Sequence, residues 1–377
     1  MVKGKKKCKL VLGNGFDLYC GLNTRYKDFF NSQKDKLNLI DQWCKNIENG
    51  VFNFIKSEID NNLFVLQNSL ADDVCFWDLL FYFDPKIDKK SNWYDVEQFI
   101  LDLFINEDIS KETTFDSLYN NVKNGNRMIS SNCSWIEYPC IYLKNNKFNV
   151  KTKIDFATHL LDELNKFEKQ FGEYVHNEFI SKLFQVFNSK CKTFYNQIES
   201  IWDVVSIDTF NYTPLESLSD DLCICSDIIH HVNGDYNQPI FGIDSSKLTI
   251  SKPGYIFTKT YRRMTADFFE GEKKSCILEE EFDDIVIFGH SLNEQDYNYY
   301  FPLFDYINLM DINSNKGIYF YYYIYDPNKR RNIKNTNVKN LVKMLNAYEK
   351  YKTNKDKDFR LVDTLSSQGR LRFKEVR

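Results

Sequence analysis

The chain has 377 residues, enough for one large domain or two ordinary ones and for a sizeable core. Its 32 Phe and 24 Tyr mark a packed globular protein rather than a disordered one. A net charge of −4 offers no footprint for gripping a phosphate backbone and argues against bulk nucleic-acid binding.

The start is locally basic (Lys3, Lys5, Lys6, Lys7, Lys9) and is expected to be a solvated terminus. The apolar stretch after it is too short for a signal-peptide core, and no run reaches the roughly 18 apolar residues that span a bilayer. The chain is therefore expected in the cytosol, off the membrane, with reduced thiols. Its cysteines form no C-x-x-C pair. Cys223 and Cys225 sit at alternate positions of an extended segment, and no histidine lies near Cys133 or Cys140, so no zinc site is expected.

The first strand, Lys9–Leu12, runs into Gly13-Asn14-Gly15-Phe16-Asp17. A short buried strand that ends in Gly-x-Gly and opens into a helix can bring backbone amides against a phosphate or ribose. Tight turns after strands collect glycines as well. The dehydrogenase fingerprint wants a third glycine where this chain has Leu18, which argues against a standard NAD(P)-dependent dehydrogenase.

From there to residue 199 the sequence reads as helical. Val96, Phe99, Ile100, Leu103 and Phe104 share one helical face, with Asn92 as the expected N-cap. Within Asp155–Phe187, a stripe of Leu160, Leu164, Phe167, Phe171, Val175, Phe179 and Leu183 predicts core packing. Stretches near 86–92 and 120–132 read as surface loops. Further strands are expected at Val204–Asp208, Ile228–Val232, Ile285–Phe288 and Ile318–Tyr325, then a helix at Val338–Tyr351 and a last strand near Arg370–Phe373. The fold class is α/β: a Rossmann-like parallel sheet in one domain, 1–377. Residues 1–30 and 200–377 form its core, and 31–199 form a large, mainly helical insertion after the first strand.

Three more blocks follow strands, where open α/β sheets gather ligand-binding groups. In Thr209-Phe210-Asn211-Tyr212-Thr213, Asn211 can close a turn, or orient a ribose hydroxyl or an attacking water. In His230-His231-Val232-Asn233-Gly234, adjacent rings point to opposite faces, so one histidine at most faces a given pocket, as a general base or as a core residue. In Gly289-His290-Ser291-Leu292-Asn293-Glu294-Gln295-Asp296, Ser291 and Glu294 have capping-box spacing at a helix start.

Together these blocks resemble the AbiH family of bacterial abortive-infection proteins. The resemblance rests on Gly13 to Leu18 with Gly21 to Phe29, on Asn92-Trp93-Tyr94-Asp95-Val96-Glu97, and on Phe210 to Thr213. Phe241-Gly242-Ile243-Asp244, Phe257 to Arg263, and Gly289 to Leu292 through Asp296 complete it. The family is in turn similar to sirtuin-like proteins, which bind NAD on a Rossmann-like sheet and in several anti-phage members hydrolyse it.

That similarity implies a phosphate-binding loop at Gly13, Asn14, Gly15 and Phe16, with Asp17 shaping the loop or holding a ribose hydroxyl. It implies Asn211 as the catalytic asparagine and a ribose-binding turn at Gly289, Ser291 and Asp296. Where the sirtuin-like pattern has His before Gly, this chain has Asn233-Gly234. Either His231 takes the base's role or the reaction needs no strong base. The function implied is hydrolysis of NAD, as substrate and with no cofactor required, to nicotinamide and ADP-ribose in phage defence. The alternative is a sensor or scaffold that binds NAD, ADP-ribose or a related nucleotide without turnover. An effector acting on nucleic acid is disfavoured for lack of clustered basic helices. Such an activity would be restrained until infection, by oligomer state or by a phage trigger.

Overall fold

The computed structural model describes residues 4–56, 74–83, 96–105, 113–124, 139–140, 142–143, 150–218, 225–266, 281–354 and 360–376. Within these, six strands form one parallel sheet in the order β3-β2-β1-β4-β5-β6. They are β1 (Lys6–Leu12), β2 (Trp202–Thr209), β3 (Ile229–His231), β4 (Asp284–Phe288), β5 (Ile318–Tyr323) and β6 (Leu371–Val376). Each matches an expected strand. The order is that of dinucleotide-binding Rossmann sheets, and it reverses direction at β1, between β2 and β4.

The helices, in chain order, are α1 (Asn14–Tyr19), α2 (Tyr26–Ser32), α3 (Lys34–Lys56), α4 (Phe76–Phe83), α5 (Val96–Phe104), α6 (Thr114–Asn124), α7 (Lys153–Lys182) and α8 (Asn188–Glu199). After β3 come α9 (Lys259–Thr265), α10 (Tyr297–Tyr306), α11 (Arg330–Thr353) and α12 (Leu361–Ser367). A single π turn, Leu183–Phe187, joins α7 to α8. The chain resolves into two compact units. One comprises the described parts of Met1–Thr24, Gly172–Ile240 and Arg263–Arg377; the other comprises those of Arg25–Phe171 and Phe241–Arg262.

The first unit is the sheet with its covering helices. Strands buried on both faces need apolar side chains on both, which is why β1 and β4 read as near-continuous apolar runs. Cys8, Leu10 and Leu12 face a core with Phe16, Tyr19, Phe187, Phe194 and Ile198. Val11, Ile285, Ile287 and Phe320 face the opposite core, with Leu303, Phe304, Leu341, Leu345 and Leu365.

One prediction fails inside β1. Lys9, grouped with the solvated basic start, is only 1% exposed. Its ammonium donates to Ser206 Oγ at 2.6 Å and pairs with Asp208 at 3.0 Å, and Asp208 also accepts from Tyr299 at 2.6 Å. The register explains the burial: Lys9 lies opposite Ser206 in the middle of the sheet, where the only available compensation is a carboxylate on the next strand.

The second unit is helical. Phe29, Phe81, Phe167, Phe171 and Phe241 pack ring on ring in its interior. Buried Glu168 on α7 takes a two-pronged salt bridge from Arg262 and the backbone N–H of Phe241, while Arg262 also donates to the Phe241 carbonyl. The Phe241–Asp244 and Phe257–Arg263 blocks are thus joined by a buried ion pair. Lys259 pairs with Glu97 at 3.0 Å.

The stripe along Asp155–Phe187 is buried at Leu160, Leu164, Phe167, Phe171, Val175 and Phe179, as core packing requires. The expected loop at 120–132 begins inside α6, which runs to Asn124. The predicted cap Asn92, the block Asn92 to Asp95, the loop near 86–92, Lys3, Cys133 and Cys223 lie outside the described residues. Among the described residues no helix is long and apolar enough to cross a membrane.

Candidate functional site at the carboxyl edge of the sheet

The expected residues gather where β3, β2, β1 and β4 end side by side. The β1–α1 loop lies directly on the turn after β4: Gly13 N–H donates to Phe288 O at 2.9 Å and Gly15 N–H to Gly289 O at 2.8 Å. A Cβ on Gly13 would stand 2.4 Å from the His290 Cα, and one on Gly15 would stand 2.6 Å from the Gly289 Cα. The close approach that demands glycine here is therefore made by protein backbone. Phe16 N–H donates to Gly13 O at 2.8 Å, and the Phe16 ring belongs to the core, edge-on to Phe288. Asn14 donates through Nδ2 to the Thr24 carbonyl and hydroxyl, folding the segment after α1 back onto the loop.

Asp17 is the hub. It is 1% exposed and accepts from Asn211 Nδ2 at 2.9 Å, Thr24 Oγ1 at 3.0 Å and Thr213 Oγ1 at 2.5 Å. Burial pushes its pKa up to about 7, against the lowering pull of those three hydrogen bonds and of His231. Asn211 spends its other amide proton on Gly13 O at 3.1 Å, so its Nδ2 ties the end of β2 to the β1 loop. Its Oδ1 makes no hydrogen bond to the described chain.

His231 lies opposite Thr209 in the β2–β3 register. Its Nδ1 is 3.1 Å from the Asn211 carbonyl oxygen, and its Nε2 is 2.8 Å from a Glu216 carboxylate oxygen, an ion-pair contact off hydrogen-bond alignment. Nδ1 faces an acceptor and Nε2 lies close to a carboxylate, surroundings that favour the doubly protonated ring over the neutral one. Burial alone would lower its pKa, but Glu216, the charge of Asp235 and the Asn211 carbonyl outweigh it and the pKa is raised. An imidazolium has no lone pair with which to take a proton. Asn233 is positioned by Arg263, which donates to its Oδ1 at 2.7 Å.

The turn after β4 differs from expectation. Gly289 (φ +67°) and Leu292 (φ +54°) are both left-handed. The second lets Leu292 N–H donate to His290 Nδ1 at 2.9 Å. The neutral ring then carries its proton on Nε2, 3.6 Å from Asp296. The Ser291/Glu294 capping box does not form: Ser291 O accepts from Asn340, and Glu294 pairs with Lys343. The reversed backbone at Leu292 separates Ser291 from the first helical turn.

Asp17, Asn211 and His231 thus meet in one bonded group, with Gly13 and Gly15 beside it and Gly289 packed on Gly15. Ser291 and Asp296 lie farther along the same turn, and no hydrogen bond described joins them to the Asp17 group. Sequence reading missed Thr24, Thr213, Glu216 and Arg263, which complete the network, and His290. Thr24, Thr213 and Arg263 sit inside quoted blocks, so their signal was present; Glu216 follows its block by three residues and gave none. A cavity of about 20 Å³ among Leu10, Leu12, Phe16, Phe194 and Ile207 is an apolar packing gap in the core. Among the described residues no group of three or more His, Cys, Asp or Glu is placed to hold a metal ion.

The model of the bacteriophage abortive infection AbiH family matches residues 10–315. No curated protein matches the chain. No solved structure matches it.

Proposed function

The chain belongs to the AbiH family of bacteriophage abortive-infection proteins, and from that premise we propose that it is a phage-defence effector that hydrolyses the nicotinamide–ribosyl bond of NAD. The observation that carries this reading is the single bonded group of Asp17, Asn211 and His231, drawn from three strand ends beside the point where the sheet reverses order. In the reaction nicotinamide leaves as a neutral molecule with the electron pair of the broken C–N bond. Water adds to the ribosyl carbon and releases its proton to solvent. The leaving group needs no acid, and the oxocarbenium-like carbon is electrophilic enough to need no strong base. This suits a His231 whose Nδ1 is engaged by the Asn211 carbonyl and whose pKa is raised. Asn211 Oδ1 would orient the water or a ribose hydroxyl, Asp17 would hold Asn211 in place, and His231 would fix the Asn211 backbone. A phage signal or a change of oligomeric state would release the activity.

Incubation with NAD and chromatographic detection of nicotinamide tests the proposal. Asn211→Ala is expected to cost about 100-fold or more in kcat. Turnover that survives Asn211→Ala at the wild-type rate would refute the assignment. A second reading, a sensor that binds ADP-ribose or NAD without turnover, is favoured by one observation: Asn233 stands where the sirtuin-like pattern has its histidine. Heat stabilisation by ADP-ribose with no nicotinamide release in infected-cell extract would select it.

A further inference from the structure

The small net charge conceals a sharp segregation. Residues 326–377 hold 15 Lys and Arg against 6 Asp and Glu, in a chain whose totals are 49 and 53. The segment begins beyond the stretch that the family model matches. Its main element is α11, 24 residues with seven basic side chains and one acidic one. The nucleic-acid reading is disfavoured in sequence for lack of clustered basic helices, but averaging over the chain hides this one.

The helix has two different faces. Ile333, Leu341, Met344, Leu345 and Tyr348 are buried against the sheet. Asn332, Asn335, Thr336, Lys339, Lys343 and Lys350 are exposed, at the spacing of the opposite face, with Arg331 on its flank; Lys334, also exposed, lies near the helix start in line with Leu341 and Leu345. Lys343 is engaged by Glu294, and Arg330 by Glu375. Arg331, Lys334 and Lys339 form no ion pair with any described residue. Cations interleaved with amide and hydroxyl groups match the chemistry of a phosphate backbone, and the one carboxylate paired on this face, Glu294, is held by Lys343. A membrane-surface helix would instead turn bulky apolar side chains outward. Here the exposed large apolar residues are only Val338 and Tyr351.

We propose that the outward face of α11 docks the phosphate backbone of a nucleic-acid duplex, with Arg331 and Lys339 as its contacts. At about 1.5 Å per residue the helix is long enough to follow several phosphates of one strand. The site is separate from the group at Asp17, so the proposal stands whether or not NAD is turned over.

The test is fluorescence anisotropy of the full chain with labelled duplex DNA, duplex RNA and phosphatidylserine-containing vesicles, over a salt series from about 50 to 200 mM. Wild type is expected to bind a duplex with an affinity that falls steeply with salt. The triple variant Arg331→Gln, Lys334→Gln, Lys339→Gln, in which Lys334 is a neighbouring charge and not a contact, is expected to lose at least about tenfold in affinity and to flatten the log–log salt slope by about 2, near one per lost contact. Its folding is checked by circular dichroism, and the wild-type slope is a measurement independent of any variant. Arg372→Gln with Lys374→Gln, on β6, is the control expected to leave binding unchanged. Preference between the DNA and RNA arms identifies the duplex. No duplex binding at the lowest salt, unchanged binding in the triple variant, or binding to vesicles alone would overturn the proposal.

Discussion

His231 and Asp17 show how much one local environment decides. Each is buried, yet the histidine pKa is raised by Glu216, Asp235 and the Asn211 carbonyl against the pull of burial, while the aspartate is pushed toward neutrality by burial. The consequence for stability has a definite sign. A histidine whose folded pKa exceeds its unfolded value of about 6.5 contributes stability that is complete below that value and is lost as pH rises through the folded one. Asp17, also raised, adds its own decline over the acidic range up to about 7. Comparing wild type with His231→Gln separates the two. Between about pH 6.5 and 8.5 the wild-type Tm is expected to fall more steeply than that of the variant. Parallel curves would mean that the ring is neutral throughout, and His231 would then return as a base candidate.

At the scale of elements, the strands were legible because burial on both faces leaves a signature in composition alone. Lys9 was not, since its partner Asp208 is remote in sequence and only the register brings them together. The Gly13-Asn14-Gly15 turn was located correctly, but one strand cannot reveal what approaches its glycines. The approach is made by Gly289 and His290, in a turn far along the chain. The missing capping box has a similar origin, for three-residue spacing says nothing of a left-handed Leu292 between its members. The two turns form one interlocked joint, which makes Gly289→Ala informative. The methyl group would stand 2.6 Å from Gly15 backbone atoms at a φ of +67°. Overpacking and left-handed strain together are expected to cost about 2–5 kcal/mol. A urea midpoint within error of wild type would show that the joint opens freely, with room between the turns that a ligand could use.

At the scale of the whole molecule, each unit contains its own buried ion pair, and these pairs offer a way to ask whether the units unfold together. Arg262 neutralises Glu168 and binds Phe241 inside the helical unit. Asp208 neutralises Lys9 inside the sheet unit. Removing one member of such a pair leaves a buried charge uncompensated, at a cost of about 3–5 kcal/mol. Local opening within a unit need not spread beyond it when that unit has its own core. Hydrogen exchange read by peptide mass spectrometry can follow each unit separately. Arg262→Ala is expected to speed exchange in peptides from 25–171 and 241–262 while β1, β2 and α10 stay protected. Asp208→Ala is expected to do the reverse, since Tyr299 on α10 loses its acceptor along with Lys9. If both variants loosened every peptide alike, the two units would be one cooperative body. A ligand at Asp17 would then stabilise the helical unit as strongly as the sheet, and the division drawn from chain contacts would carry no energetic meaning.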